Sequence, residues 1–170
     1  MDGSIALTVF FDYLPQDFKH DFGEFMKGED LLILGPGKDF FEATEFARRF
    51  PGIRRIVVMD NDLKNIKGYT EELVKLPDDM RNRVIIARDD IREHTLFGPA
   101  AFKAAYCNMV MNVEILDQDL RRAFENIHTV LRDGGYCMGI MDDPAPECID
   151  GQIGRASVGK ECRSRWSPYH

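Results

Sequence analysis

The sequence predicts an α/β domain, a doubly wound, mainly parallel sheet of about five strands with helices on both faces. Three observations carry that expectation. Short apolar or β-branched runs alternate with stretches of helical periodicity. A Gly-Pro-Gly turn follows the first run, and a Gly-Gly pair precedes the last. Carboxylates stand where the second and third runs end.

Each element has its own warrant. In "PQDFKHDFGEFMKG", Phe18, Phe22, Phe25 and Met26 share one helical face, and Gly28 provides a stop. "DLLILG" runs four apolar residues, Leu31 to Leu34, into its glycine, as a strand covered on both faces requires. "KDFFEATEFARRF" aligns Phe40, Ala43, Ala47 and Phe50 on one side of a helix that Pro51-Gly52 ends. "IRRIVVMD" is a β-branched second strand. "NDLKNIKGYTEELVKL" is a helix with Leu63, Ile66, Leu73 and Val74 expected inward, stopped before Pro77. "RVIIARDD" is the third strand, "IREHTLFGPAAFK" an irregular link and "AAYCNMV" the fourth strand. "DQDLRRAFENIHTVLRDGG" carries a stripe of Leu120, Ala123, Phe124, Ile127, Val130 and Leu131, with Gly134-Gly135 expected to end the helix. "YCMGIMD" is the fifth strand.

With 170 residues the chain is long enough for one domain with a substantial core. Its net charge of −7 argues against a general nucleic-acid surface, which needs a clustered basic footprint. The charge is uneven: residues 1–150 carry net −10, whereas 151–170 carry net +3 through Arg155, Lys160, Arg163 and Arg165 against one acid. The expected division is a nucleotide-binding type of domain over 1–141, including the N-terminal helix, and an irregular basic tail over 142–170. The start "MDGSIALTVFFDYL" lacks the pattern of a signal peptide, and no run approaches the length of a membrane span. Cys107, Cys137, Cys148 and Cys162 form no C-x-x-C pair, so no metal is expected, and the predicted setting is cytoplasmic with reduced thiols.

The ligand signal lies at the strand ends, where a doubly wound sheet binds its ligands. Gly35, Pro36 and Gly37 make the turn between the first strand and its helix, where glycine lets backbone approach a ligand closely. Asp60 ends the second strand, at the spacing of a carboxylate that accepts ribose hydroxyls; capping the next helix is its competing role. Asp90, after the third strand, is placed to accept from an adenine amino group. Together these residues outline an adenosine site. Phe40 stands where the dinucleotide fingerprint needs a small residue, which disfavours a nicotinamide cofactor, and the P-loop pattern is absent.

The segments "LLILGPG", "IVVMDND", "RVIIARDDI", "AAYCNMVMNVEIL" and "VLRDGGYCMGI" occur in the order found in Rossmann-like, class I S-adenosylmethionine-dependent methyltransferases. Over roughly residues 15–141 the chain resembles that family, most specifically in "TVLRDGGYCMGI". The resemblance implies S-adenosylmethionine as cofactor, with Gly35, Pro36 and Gly37 at its methionine and ribose end. It implies that Asp60 holds the ribose diol, Asn61 lies beside adenine, Asp90 and the Ile91 backbone meet the adenine edge, and Asn108 lies near the sulfonium.

The implied activity is methyl transfer to an acceptor the sequence does not identify, and no side chain stands out as catalytic. Ile33, Asp39 and Lys103 stand where the family carries an acid, a glycine and an acid, and "CNMV" replaces its amino-methylation signature. These departures motivate a second reading: a catalytically inactive methyltransferase-like scaffold, pairing as a homodimer or with a partner subunit through the sheet edge.

Overall fold

The computed structural model describes residues 16–36, 40–93, 96–108 and 117–140. Their order is α1 (Gln16–Phe25), β1 (Asp30–Leu34), α2 (Phe41–Arg49), β2 (Arg55–Asp60), α3 (Leu63–Leu73), α4 (Asp78–Arg81), β3 (Val84–Arg88), β4 (Phe102–Asn108), α5 (Asp117–Val130) and β5 (Leu131–Ile140). The strands form one sheet in the order β3-β2-β1-β4-β5, and all four pairings are parallel. Strand order therefore reverses at β1, which pairs with β2 on one side and β4 on the other.

Alternation along the central strand explains both cores. Leu31 and Ile33 face one side, packing with Ile56, Val58, Ala104 and Tyr106 against Phe22 and Met26, Ala43 and Phe46 of α2, and Tyr69 of α3. Leu32 and Leu34 face the other, with Val57, Met59, Ala105 and Cys107 against Ala123, Ile127 and Val130 of α5. Ile91, Phe97 and Ala101, from the link between β3 and β4, help cover this second face without a helix. At the entrance to the sheet the buried carboxylate of Asp30 receives Nη2 of Arg54 at 2.8 Å and Nη2 of Arg55 at 2.6 Å. That clamp fixes where β1 and β2 begin.

Several expectations need correction. Leu63 and Val74 are exposed, at 46% and 62%; the inward face of α3 is Ile66, Tyr69 and Leu73. Those three repeat at i, i+3 and i+7, so a single stripe reaches the sheet and the helix ends turn away. Phe124 likewise lies outside the buried stripe of α5, at 43% exposure. Gly134-Gly135 does not end α5. The helix stops at Val130, and β5 begins at Leu131 with a shift of register between the Phe102–Leu131 and Ala104–Tyr136 pairs. Gly134 takes φ +68° inside that irregularity. Further along, a Cβ on Gly139 would stand 2.0 Å from the Cys107 carbonyl oxygen, so this position requires glycine. Gly37, the side chains of Phe18 and Leu120, and the expected tail over 142–170 lie outside the described residues.

Candidate functional site

The tips of β1, β2 and β3 converge at the carboxyl end of the sheet, beside the reversal of strand order. Leaving β1, Gly35 adopts φ +51°, and its N–H donates to the Met59 carbonyl at 2.8 Å, tying this turn to β2. Pro36 is buried behind it. Phe40, just before α2, also sits in the left-handed region at φ 49°, a strained conformation for a bulky residue. Its ring is 1% exposed and stacks on Tyr69 with centroids 5.5 Å apart, so packing holds the strained backbone in place.

Asp60 ends β2 and is only 7% exposed. Its Oδ1 accepts from the Asp62 N–H at 2.8 Å; its Oδ2 accepts from Asn65 Nδ2 at 3.1 Å and from the Tyr69 hydroxyl at 2.6 Å. The helix cap is Asp62, which accepts from the Lys64 N–H. A carboxylate has about four acceptor positions. Asp60 therefore retains one, on Oδ1. Burial first, then the bond to Asp60, pushes the Tyr69 hydroxyl above the ordinary tyrosine range, so it acts as a neutral donor.

The β3 tip is joined to this cluster. The Asp89 N–H donates to the Asp60 carbonyl at 3.1 Å, and Asn61 Nδ2 donates to Asp90 Oδ2 at 2.9 Å. Arg92 then encloses Asp90: its backbone N–H and Nε reach Oδ1 at 3.0 and 2.8 Å, and its Nη2 reaches Oδ2 at 2.5 Å. The Arg92 guanidinium holds the Asp90 carboxyl well below the usual carboxylate range. All four acceptor positions of Asp90 are filled. The link that follows is anchored by Asn126 of α5, whose Nδ2 donates to the Ile91 carbonyl at 2.7 Å and also to that of Glu93. Ile91 itself packs into the second core, so its peptide N–H is the polar group it can present.

The structure thus brings Gly35, Pro36, Asp60, Asn61, Asp90 and Ile91 to one end of the sheet. Asn108 ends β4 opposite Ile140. Gly37 lies outside the described residues. Tyr69, Asn65, Arg92 and Asn126 were not singled out from the sequence, though Tyr69 shares the helical spacing of Ile66 and Leu73, and Arg92 follows Asp90 by two. A groove of about 690 Å³ lined by Lys19, His20, Lys27 and Arg49 among others lies near the amino ends of β1 and β2, away from these tips. Among the described residues no helix is long and apolar enough to cross a membrane, and no group of His, Cys, Asp and Glu could hold a metal ion.

This strand order and these crossovers are the class I methyltransferase fold, and comparison with solved structures agrees. The glycopeptide N-methyltransferase MtfA superposes with a TM-score of 0.57 at 15% identity, covering 72% of this chain and 51% of its own. The [4+2]-cyclase SpnF superposes at 0.57 and 21% identity, covering 71% of this chain and 42% of its own. The methyltransferase domain of bacterial CtHen1-CN does so at 0.52 and 12% identity, covering 68% and 60%. The chain spans about half the length of the first of these structures. No protein-family model matches the sequence, and no curated protein is similar to it in sequence.

Proposed function

We propose that this chain binds S-adenosylmethionine at the tips of β1, β2 and β3 and serves as a methyltransferase. The observation that carries the reading is the convergence of the Gly35 turn, Asp60 and the Asn61–Asp90 pair at the reversal of strand order. MtfA has been crystallised with S-adenosylmethionine, S-adenosylhomocysteine and sinefungin, which supports the same ligand class here.

The residues fit the cofactor, and on this reading two of them change role: Asp60 would serve one ribose hydroxyl, and Asp90, filled by Arg92 and Asn61, would not contact the base. Gly35, Pro36 and Gly37 would form the backbone cradle for its methionine and ribose end. Asp60 would accept one ribose hydroxyl on Oδ1, its remaining acceptor position. Asn61 and the Ile91 N–H would flank the base, and Asn108 would lie toward the sulfonium. When bound, the cofactor supplies a methyl group already activated by its positive sulfur. The chain's own contribution is orientation and exclusion of water, for which no general base need be assigned.

Isothermal titration calorimetry with S-adenosylhomocysteine tests this directly. Micromolar binding is expected, weakened about tenfold in Asp60→Asn by loss of a charge-assisted hydrogen bond. Absence of heat at millimolar ligand would overturn the reading.

A second reading, a fold retained for binding without methyl transfer, is favoured by one feature: most of the acceptor capacity of Asp60 and Asp90 is used internally. It predicts association through the sheet edge, as a homodimer or with a partner subunit. A neighbour of this fold has been solved in complex with the Trm112 methyltransferase activator of Haloferax volcanii, at a TM-score of 0.50. Sedimentation at high concentration, without ligand, separates that outcome from a monomeric enzyme.

A further inference from the structure

We propose that Tyr69 is a positioning residue of this site: it fixes the carboxylate of Asp60 in the orientation that offers its remaining acceptor position to the ribose. The inference rests on the cofactor-binding reading above and concerns how Asp60 is made ready for its ligand.

An aspartate carboxyl turns easily about its last bond, because that torsion has a broad, two-fold profile. Burial alone does not set it. For Asp60 three donors do. The Asp62 N–H, only two residues on, meets Oδ1 at 2.8 Å as part of the local turn. Asn65 Nδ2, in the first turn of α3, meets Oδ2 at 3.1 Å. The Tyr69 hydroxyl reaches the same oxygen from further along α3 at 2.6 Å, the shortest of the three.

The two donors to Oδ2 differ in how firmly they are held themselves. Asn65 is half-buried. Tyr69 is fully buried, and its ring stacks on Phe40 with 29° between the planes. A hydroxyl on an enclosed ring has little freedom, so the oxygen that receives it is pinned. Burial also keeps that hydroxyl protonated, so it donates. With two donors on Oδ2 and one on Oδ1, the open position is confined to Oδ1 of a carboxylate that cannot turn. A group held in this way loses no rotamer freedom when its ligand arrives. Tyr69 need touch no ligand to have this effect.

Calorimetry on the full chain tests this with S-adenosylhomocysteine and its 2′-deoxy and 3′-deoxy forms, each lacking one ribose hydroxyl. Tyr69→Phe keeps the stack and removes the donor, and should weaken S-adenosylhomocysteine about tenfold. The deoxy form without the hydroxyl that Asp60 accepts should bind the native chain and Tyr69→Phe within about twofold of each other, because the two deletions remove one interaction. Asn65→Ala should repeat the pattern at about threefold, and carries the test if the Phe variant does not fold. A merely structural role would weaken all three ligands by the same factor, overturning the proposal while cofactor binding stands. Unchanged affinity of Tyr69→Phe for all three would overturn it too, as would a native chain that binds both deoxy forms as tightly as the parent ligand. A native chain that binds none of the three would overturn the proposal together with the cofactor reading.

Discussion

The Tyr69 hydroxyl donates to Oδ2 of Asp60 across 2.6 Å of buried space, joining the middle of α3 to the tip of β2. Because Tyr69 also stacks on Phe40, one side chain braces both the strained entrance to α2 and the carboxylate of the candidate site. Tyr69→Phe keeps the stack and removes the bond. It should cost about 1.5–3 kcal/mol, the usual loss for a buried hydrogen bond to a charged group. Urea unfolding of the two proteins measures it.

The alkaline limb of stability has a defined sign. Burial raises Tyr69 and Tyr106 above their ordinary 10.0, and Cys107 above its ordinary 9.0. Each raised group contributes stability that is complete below its unfolded value and is lost as pH climbs above it. Melting temperature should therefore hold up to about pH 9 and then fall, because unfolding releases protons the native state retains. Tyr69→Phe should flatten part of that fall.

The acid limb has the opposite origin. Burial alone would raise Asp30, but the bonds from Arg54 and Arg55 outweigh it and lower its carboxyl; Arg48 lowers Glu45, and Arg92 lowers Asp90. Lowered carboxyls stabilise above their unfolded values and stop doing so as pH falls through the folded ones. Stability should decline from about pH 4 downward. Asp30→Asn should reduce stability at neutral pH by about 1–3 kcal/mol, kept modest because both arginines are half exposed, and should make the acid slope shallower.

Two glycine substitutions should move stability in opposite directions. Gly139→Ala places a methyl 2.0 Å from the Cys107 carbonyl oxygen and forces β4 and β5 apart, with a loss of at least about 3 kcal/mol or no soluble protein. Gly68→Ala, in α3 with open space around it, should gain about 0.5–1 kcal/mol from helix propensity. Thermal melts of both proteins against the parent decide the matter.

The Cys107 thiol, buried in β4, should resist alkylation by iodoacetamide at pH 8 while the protein is folded and react once urea is added. Peptide mass spectrometry reads this at Cys107 alone.

What the sequence made legible follows from period and punctuation. The strand "DLLILG" was readable because four apolar residues in succession have no other use in so short a run, and both cores confirm it. The stripe of α5 was readable at Ala123, Ile127 and Val130 for the same reason. Tyr69 was missed because a tyrosine in a charged helix reads as a surface residue until Asp60 is seen to accept its hydroxyl. Arg92 was missed because its partner is a matter of side-chain direction, which spacing does not encode. The length of β5 was misjudged because Gly134-Gly135 reads as a helix stop, whereas here the pair sits in the register shift against β4.

The position of β1 bears on how the chain comes together. Leu31 pairs with Ile56 on one flank and with Ala104 on the other, so its two neighbours are made at very different times during synthesis. The unit from β1 to β3 can pair as soon as it leaves the ribosome, but β1 then has its second edge bare along the apolar run Leu31–Leu34. Only the arrival of β4 closes it. The newborn protein thus passes through an interval in which its most hydrophobic strand is its outermost one, and its exposure to chaperones and to misassembly is concentrated there.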